Sequence, residues 1–217
     1  MDKPYQPKIL IAIPAHNHER TIGSIVLKAR QYADEVIVID DGSRDGTSRI
    51  ALLAGAIVLR HEKKKGKGAS IQSILAEAKR RNPDSLVLLD AGFQHNLDEI
   101  PNLVKPILEG YDLVIGSREL EKHKTPWYCH IGRKVLTHSA RILLGQRLSD
   151  LQSGFMAFSS KAVAELRLRQ NSFAVETEMI IAAVTKGLKV KEVPVSYTES
   201  DSTSNNIKSR RGERASL

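Results

Sequence analysis

At 217 residues the chain has the length of one ordinary domain, and its 41% hydrophobic and 27% charged residues exclude wholesale disorder. A chain of this size buries roughly 70% of its unfolded surface and needs neither disulfides nor a structural metal. The single cysteine, Cys129, excludes an intramolecular disulfide and suits a reducing compartment. The 33 Lys and Arg outnumber the 25 Asp and Glu, and the net charge of +8 points to an anionic partner: nucleic acid, anionic lipid or a phosphorylated ligand.

The N-terminal MDKPYQPKILIAIPAHN holds one short apolar run, so no signal peptide is expected. No stretch approaches the ~18 consecutive apolar residues of a membrane span. In chain order, strands are expected at 8–13 (KILIAI), 35–39 (EVIVI), 56–59 (AIVL), 85–89 (SLVLL) and 111–115 (YDLVI). Each is a near-continuous apolar run, the pattern of strands covered on both faces. Helices are expected between them at 19–32, 45–53, 69–80 and 98–108; in the first, Ile22, Ile25, Val26 and Ala29 form one apolar face. This rhythm predicts an α/β fold with a mostly parallel sheet flanked by helices. After Gly116 the rhythm breaks: a helix is expected at 128–144, a short strand at 154–158, a helix at 175–186 and an alternating strand at 188–195. The Ser-, Asn- and Arg-rich segment 198–217 has too little apolar content for a core and reads as a mobile basic tail.

In parallel sheets ligands bind beyond the carboxyl ends of the strands, so the polar residues after each strand are the candidates. Asp41, in Asp40-Asp41-Gly42-Ser43, ends the second strand and can accept from a base N–H or a ribose hydroxyl; the same string also suits a turn or helix cap. Lys63-Lys64-Lys65-Gly66-Lys67-Gly68-Ala69 is a basic loop entering a helix, where glycines allow close approach and the helix N-terminus favours anions. It fits neither a Walker A loop nor a dinucleotide fingerprint. Lys67, between two glycines, is the candidate phosphate ligand, while Lys63, Lys64 and Lys65 suit a solvated face. Asp90, with Gln94 and His95 behind it, can hold a divalent cation, since Mg²⁺ takes one or two carboxylates and otherwise water and phosphate. Arg118, Arg133 and Thr137 are candidates for phosphate recognition. On residue types alone, Asp150-Leu151-Gln152-Ser153-Gly154-Phe155 has no assigned function. HExxH, CxxC and GxSxG are absent.

The strings AIPAHN, VIVIDDGSRDGT, HEKKKGKGAS, LLDAGFQHNLDEIP, DLVIGSR, DLQSGFMAFS and KGLKVKEVPV, in this order over about residues 8 to 200, resemble glycosyltransferase family 2. The resemblance is to its branch of dolichyl-phosphate mannose synthase and archaeal polyprenyl-phosphate sugar transferases. It implies a single GT-A domain over 1–217, with a nucleotide-sugar-binding half at 8–118, a smaller acceptor-binding half at 119–197 and the tail beyond. Pro14 and Asp41 match positions around the base and ribose. Asp90 and Ala91 begin the DxD-type segment, Asp90 and Gln94 match metal-site residues, and Gly92 stands where the second Asp belongs. The family's PxYNE reads Pro14-Ala15-His16-Asn17-His18. Arg118, Arg133 and Thr137 match residues that hold the acceptor phosphate and the sugar-nucleotide phosphates, and Asp150 matches the acid before QSGF. A basic pair after the EVP strand would fall near Ser200 and Asn206, where Lys208, Arg210 and Arg211 are the nearby substitutes.

The resemblance implies inverting transfer of a sugar from a GDP- or UDP-sugar to a polyprenyl or dolichyl phosphate. Mg²⁺ or Mn²⁺ would sit on Asp90 and Gln94, weakened by Gly92, with Lys67 and Arg118 facing the diphosphate. An ionised acceptor phosphate needs little general-base help; were the acceptor a sugar hydroxyl, Asp150 is the candidate base. A lipid acceptor places the chain peripherally on the cytoplasmic face of an anionic membrane, with 128–144 as an interfacial helix or a helix packed on the sheet. A catalytically impaired nucleotide-sugar-binding protein is the alternative, motivated by Gly92, His16 and His18. Nucleic acid drops out, because aromatics are only 5% and no recognition motif appears.

Overall fold

The computed structural model describes residues 6–92, 95–118, 148–168 and 175–196. Gln94, Cys129, Arg133 and Thr137, the helix expected at 128–144 and the tail at 198–217 lie outside the described residues.

The β/α alternation is as expected: β1 (Ile9–Ala15), α1 (Ile22–Ala29), β2 (Glu35–Asp40), α2 (Thr47–Leu53), β3 (Ile57–Arg60), α3 (Lys67–Arg81), β4 (Ser85–Leu88), α4 (Ile100–Leu108) and β5 (Leu113–Ser117). The second part contributes β6 (Met156–Ser159), α5 (Ser160–Glu165), α6 (Val175–Thr185) and β7 (Val190–Pro194). Helix α5 is an addition to the expected elements. It is short, and its signal is its cap: the Ser159 hydroxyl accepts from the Ala162 amide at 3.1 Å.

The described strands form one seven-stranded sheet in the order β3-β2-β1-β4-β6-β5-β7. All neighbours are parallel except β6, which runs antiparallel between β4 and β5. Because strand side chains alternate, one face presents Leu10, Ala12, Ile37 and Ile39 to α3, α5 and α6. The other presents Ile11, Ile13, Val36 and Val38 to α1, α2 and α4. Burying an Ile or Leu contributes about 1.5–3 kcal/mol, so the two apolar layers fix which helix covers which face. The central runs are covered on both sides, as their sequences predict. Edge strand β3 is not: Ile57 is 37% and Leu59 38% exposed, since an apolar run does not reveal that its strand lies at the rim.

The reversed strand positions the site. β6 begins at Met156, opposite Leu88 at the end of β4 and Ile115 near the end of β5. Residues 148–155 therefore pass across the carboxyl ends of β4 and β5 at the change of strand direction. Among the described residues, no helix is long and apolar enough to cross a membrane.

Candidate active site

The loops after β1 and β2 are hydrogen-bonded together beyond the sheet. The Asn17 amide donates to Ser43 Oγ at 2.9 Å, the Arg44 amide donates to Asn17 Oδ1 at 2.9 Å, and His16 Nδ1 donates to the Asp41 carbonyl at 2.9 Å. Asn17 holds φ 57°, a left-handed conformation that asparagine tolerates better than most residues. Pro14, expected at the base and ribose, lies at the end of β1 among these loops.

Asp41 is buried, and its carboxylate turns to the basic loop. It accepts from His61 Nδ1, the Lys65 amide and the Gly66 amide, each at 2.8 Å. Burial pushes its carboxyl upward, and these donors outweigh burial and hold it below the usual carboxylate range. His61 Nε2 continues the chain to Ser73 Oγ at 3.0 Å. The same loop crosses Gly42, where a Cβ would stand 2.7 Å from the Lys63 carbonyl carbon and the Lys64 nitrogen. DDGS and KKKGKG are thus one unit, bordering a groove of about 630 Å³ lined by His61, Lys63, Lys64, Lys65 and Gln72.

Lys67 opens α3 after Gly66, whose φ of 99° glycine alone adopts readily. Its ammonium lies 2.7 Å from Asp90 Oδ1 and 2.5 Å from Glu176 Oε1. Burial favours the neutral amine, but the two carboxylates outweigh it and raise the Lys67 pKa, so the side chain is a fixed cation. Glu176, in the first turn of α6, is 5% exposed. Asp90 is held from its other side by Gly154, where a Cβ would fall 1.9 Å from Oδ2. The Ala91 carbonyl is taken by the Thr21 hydroxyl at 2.7 Å.

At the end of β5, Arg118 grips Asp150 in a fork, Nε to Oδ2 at 2.7 Å and a terminal nitrogen to Oδ1 at 2.9 Å, and also donates to the Gln152 carbonyl at 3.0 Å. Burial raises the Asp150 pKa, but the guanidinium's hydrogen bonds and charge hold it below the usual carboxylate range. Glu192 of β7 anchors this loop by accepting from the amides of Ser149 and Asp150, at 2.8 and 2.9 Å. Ser153 Oγ donates to the Gly116 carbonyl at 2.6 Å.

Of the expected site residues, Pro14, Asp41, Lys67, Asp90, Ala91, Arg118 and Asp150 lie at or just beyond the carboxyl ends of the strands, Pro14 within the end of β1 and Lys67 at the start of α3. The sequence did not point to Glu176 or Glu192, and it assigned His61 and Gly154, though both lie in candidate loops, no role of their own. Glu176 sits on a helix far along the chain, and its only sequence signal is that it is one of two acids, with Glu178, in the first turn of that helix.

Mg²⁺ or Mn²⁺ prefers hard oxygen donors, often one or two carboxylates with the rest from water and phosphate. Asp90, with its side chain 29% exposed, suits that chemistry once Lys67 yields Oδ1. Among the described residues no group of three or more His, Cys, Asp or Glu is arranged around a metal position.

The sequence profile of glycosyl transferase family 2 matches residues 10–167. The chain belongs to glycosyl transferase family 2. Its matched span covers β1 through α5 and so contains most of the site described above. Among family relatives, the UDP-N-acetylglucosamine–dolichyl-phosphate N-acetylglucosaminyltransferase of Methanococcus voltae is 31% identical, over 88% of this chain and 86% of its own. The polyprenol monophosphomannose synthase of Mycolicibacterium smegmatis is 28% identical, over 88% of this chain and 78% of its own. In structure, glucosyl-3-phosphoglycerate synthase of Mycobacterium tuberculosis, crystallised with Mn²⁺, UDP-glucose and phosphoglyceric acid, has a TM-score of 0.71 at 26% identity, covering 94% of this chain and 76% of that one. The family 2 chain thus has the GT-A fold that its motifs imply.

Proposed function

We propose that this family 2 glycosyltransferase moves a sugar from a nucleotide-diphosphate donor to a polyprenyl phosphate, with inversion at the anomeric carbon. The observation that carries the reading is the Arg118–Asp150 fork beside Asp90 and Lys67. A buried aspartate held ionised by a guanidinium is a weak base, so the site suits a nucleophile that is already an anion, as an acceptor phosphate is. The names of the Methanococcus voltae and Mycolicibacterium smegmatis relatives, which specify dolichyl phosphate and polyprenol, support the same acceptor class.

In this reading Pro14 and Asp41 border the base and ribose. Asp41 acts through the loop it fastens, because its oxygens already hold two amides and His61. Lys67, Ala91 and Arg118 face the diphosphate, and Asp90 with Gln94 would hold Mg²⁺ or Mn²⁺, which when bound would supply positive charge against that of the diphosphate. The acceptor phosphate is assigned to Arg133 and Thr137. The protein contributes positioning and fixed charge rather than a covalent intermediate. A lipid acceptor brings the chain to a membrane surface, with the Lys63, Lys64 and Lys65 loop facing anionic headgroups.

The test is a screen of GDP- and UDP-sugars against a short polyprenyl phosphate and, separately, phosphoglyceric acid, each with and without Mg²⁺ or Mn²⁺. Label entering the organic phase with a metal present is expected. Transfer only to the soluble acid would assign a different acceptor. UDP or GDP binding with no transfer to any acceptor would assign the chain as a nucleotide-sugar-binding protein.

A further inference from the structure

The Lys67 ammonium is paired with Asp90, the carboxylate assigned above to a divalent ion. One oxygen of Asp90 is 2.7 Å from the ammonium, and the other lies against Gly154, where not even a Cβ fits. An ion at Asp90 competes with Lys67, because an ammonium and a divalent cation repel on one carboxylate. Two features let the lysine withdraw without losing its charge. Glu176 also holds the ammonium, at 2.5 Å, and is itself fixed on α6, whose Thr177 hydroxyl donates to the Leu151 carbonyl at 3.1 Å. Lys67 also opens a 15-residue helix behind a glycine-flanked basic loop, a position where backbone amides and the helix dipole favour phosphate.

Resting on the donor reading above, we propose that Lys67 is an internal competitor for Asp90. In the nucleotide-free protein its ammonium takes the cation's place. The donor diphosphate draws it away while Glu176 keeps it beside the site, so that divalent cation and nucleotide bind cooperatively. Metal affinity before nucleotide binding is then low by construction, independently of the carboxylate absent at Gly92. Coupling between two ligands is reciprocal, so the nucleotide must also bind more tightly with the metal present.

The experiment is a Mn²⁺ titration of the nucleotide-free protein followed by electron paramagnetic resonance, which reads metal binding without turnover. Lys67→Met is expected to bind Mn²⁺ at least about tenfold more tightly than the parent, a change within the usual range of coupling between sites. Adding Asp90→Asn to Lys67→Met is expected to abolish that gain. Circular dichroism checks the fold, and Lys67→Gln, with a neutral donor between the carboxylates, gives the same gain if Lys67→Met does not fold. With UDP added, and Mn²⁺–UDP in solution accounted for, the parent's Mn²⁺ affinity is expected to rise and the variant's to rise less. Lysine variants that bind Mn²⁺ no more tightly than the parent, including no binding by any of them, overturn the proposal. Absence of binding by both UDP and GDP to either protein in calorimetry overturns the donor reading and the cooperativity with it, while the nucleotide-free comparison still decides whether Lys67 competes for Asp90.

Discussion

Asp90 rests on the backbone of Gly154: a Cβ at that glycine would lie 1.9 Å from Oδ2 and 2.3 Å from Cγ of the carboxylate. β6 produces this contact by entering antiparallel beside β4, which turns the segment before Met156 onto the end of Leu88's strand.

Gly154→Ala is therefore a probe of Asp90 that leaves its chemistry intact. The methyl group must push the carboxylate aside, at a cost typical of overpacking, about 1–3 kcal/mol. Thermal unfolding is expected to show that modest loss, and sugar transfer is expected to fall at least about tenfold, since one ångström of misplacement can cost ~100-fold. Parent-like transfer would mean that Asp90 tolerates displacement.

Asp90→Ala is expected to abolish transfer, and Gly92→Asp to strengthen Mn²⁺ binding or raise turnover by restoring a second carboxylate. Overlapping Mn²⁺ titration curves for Gly92→Asp and the parent would show that the missing carboxylate is immaterial.

The Arg118–Asp150 pair is buried, with Asp150's side chain 1% and Arg118's 13% exposed. Removing one partner leaves the other's charge without its main counter-ion, which typically costs about 3–5 kcal/mol. Arg118→Ala is expected to lower stability by that order in urea unfolding. Arg118→Lys, which keeps the charge and loses the fork, is expected to retain most stability yet lose transfer.

His95 gives the stability a pH dependence. Burial lowers its pKa to about 4, and its ring lies 5.1 Å from that of Phe155. With the folded value below the unfolded one of about 6.5, the unfolded chain binds the extra proton, so stability is full above pH ~6.5 and falls toward pH ~4. At pH 5 the loss from this residue is about 2 kcal/mol by linkage. His95→Phe is expected to flatten the decline between pH 7 and pH 5, as measured by urea unfolding at each pH. An unchanged slope would assign the pH dependence to other groups, His18 first, whose pKa burial also lowers.

The parallel part of the fold was legible because continuous apolar runs and 3.6-residue faces encode it locally; Ile22, Ile25, Val26 and Ala29 are all buried as their spacing predicts. The rim position of β3 was not, because exposure at a sheet edge depends on strand order, which residue type does not carry. The strand-end loops that hold Asp41, Lys67 and Asp90 were legible from position alone. The partners of those residues were not: His61 on Asp41, Glu176 on Lys67 and Gly154 under Asp90 meet them only through tertiary packing. DDGS and KKKGKG read as two separate motifs in the sequence, yet Asp41 joins them into one loop unit. The basic loop accordingly has a backbone tied to Asp41 beneath exposed lysine side chains, a distinction that composition does not reveal.

The central claim is attack by an acceptor phosphate oxygen on the anomeric carbon. The direct measurement uses polyprenyl phosphate labelled with ¹⁸O at its non-bridging oxygens, a nucleotide sugar and Mn²⁺, with the product read by ¹³C NMR and mass spectrometry. The expected product is a glycolipid with inverted anomeric configuration and an ¹⁸O-shifted anomeric carbon, released with unlabelled nucleoside diphosphate, all absent with Asp90→Ala. A glycolipid with an unshifted anomeric carbon, or undiminished product from Asp90→Ala, would contradict it.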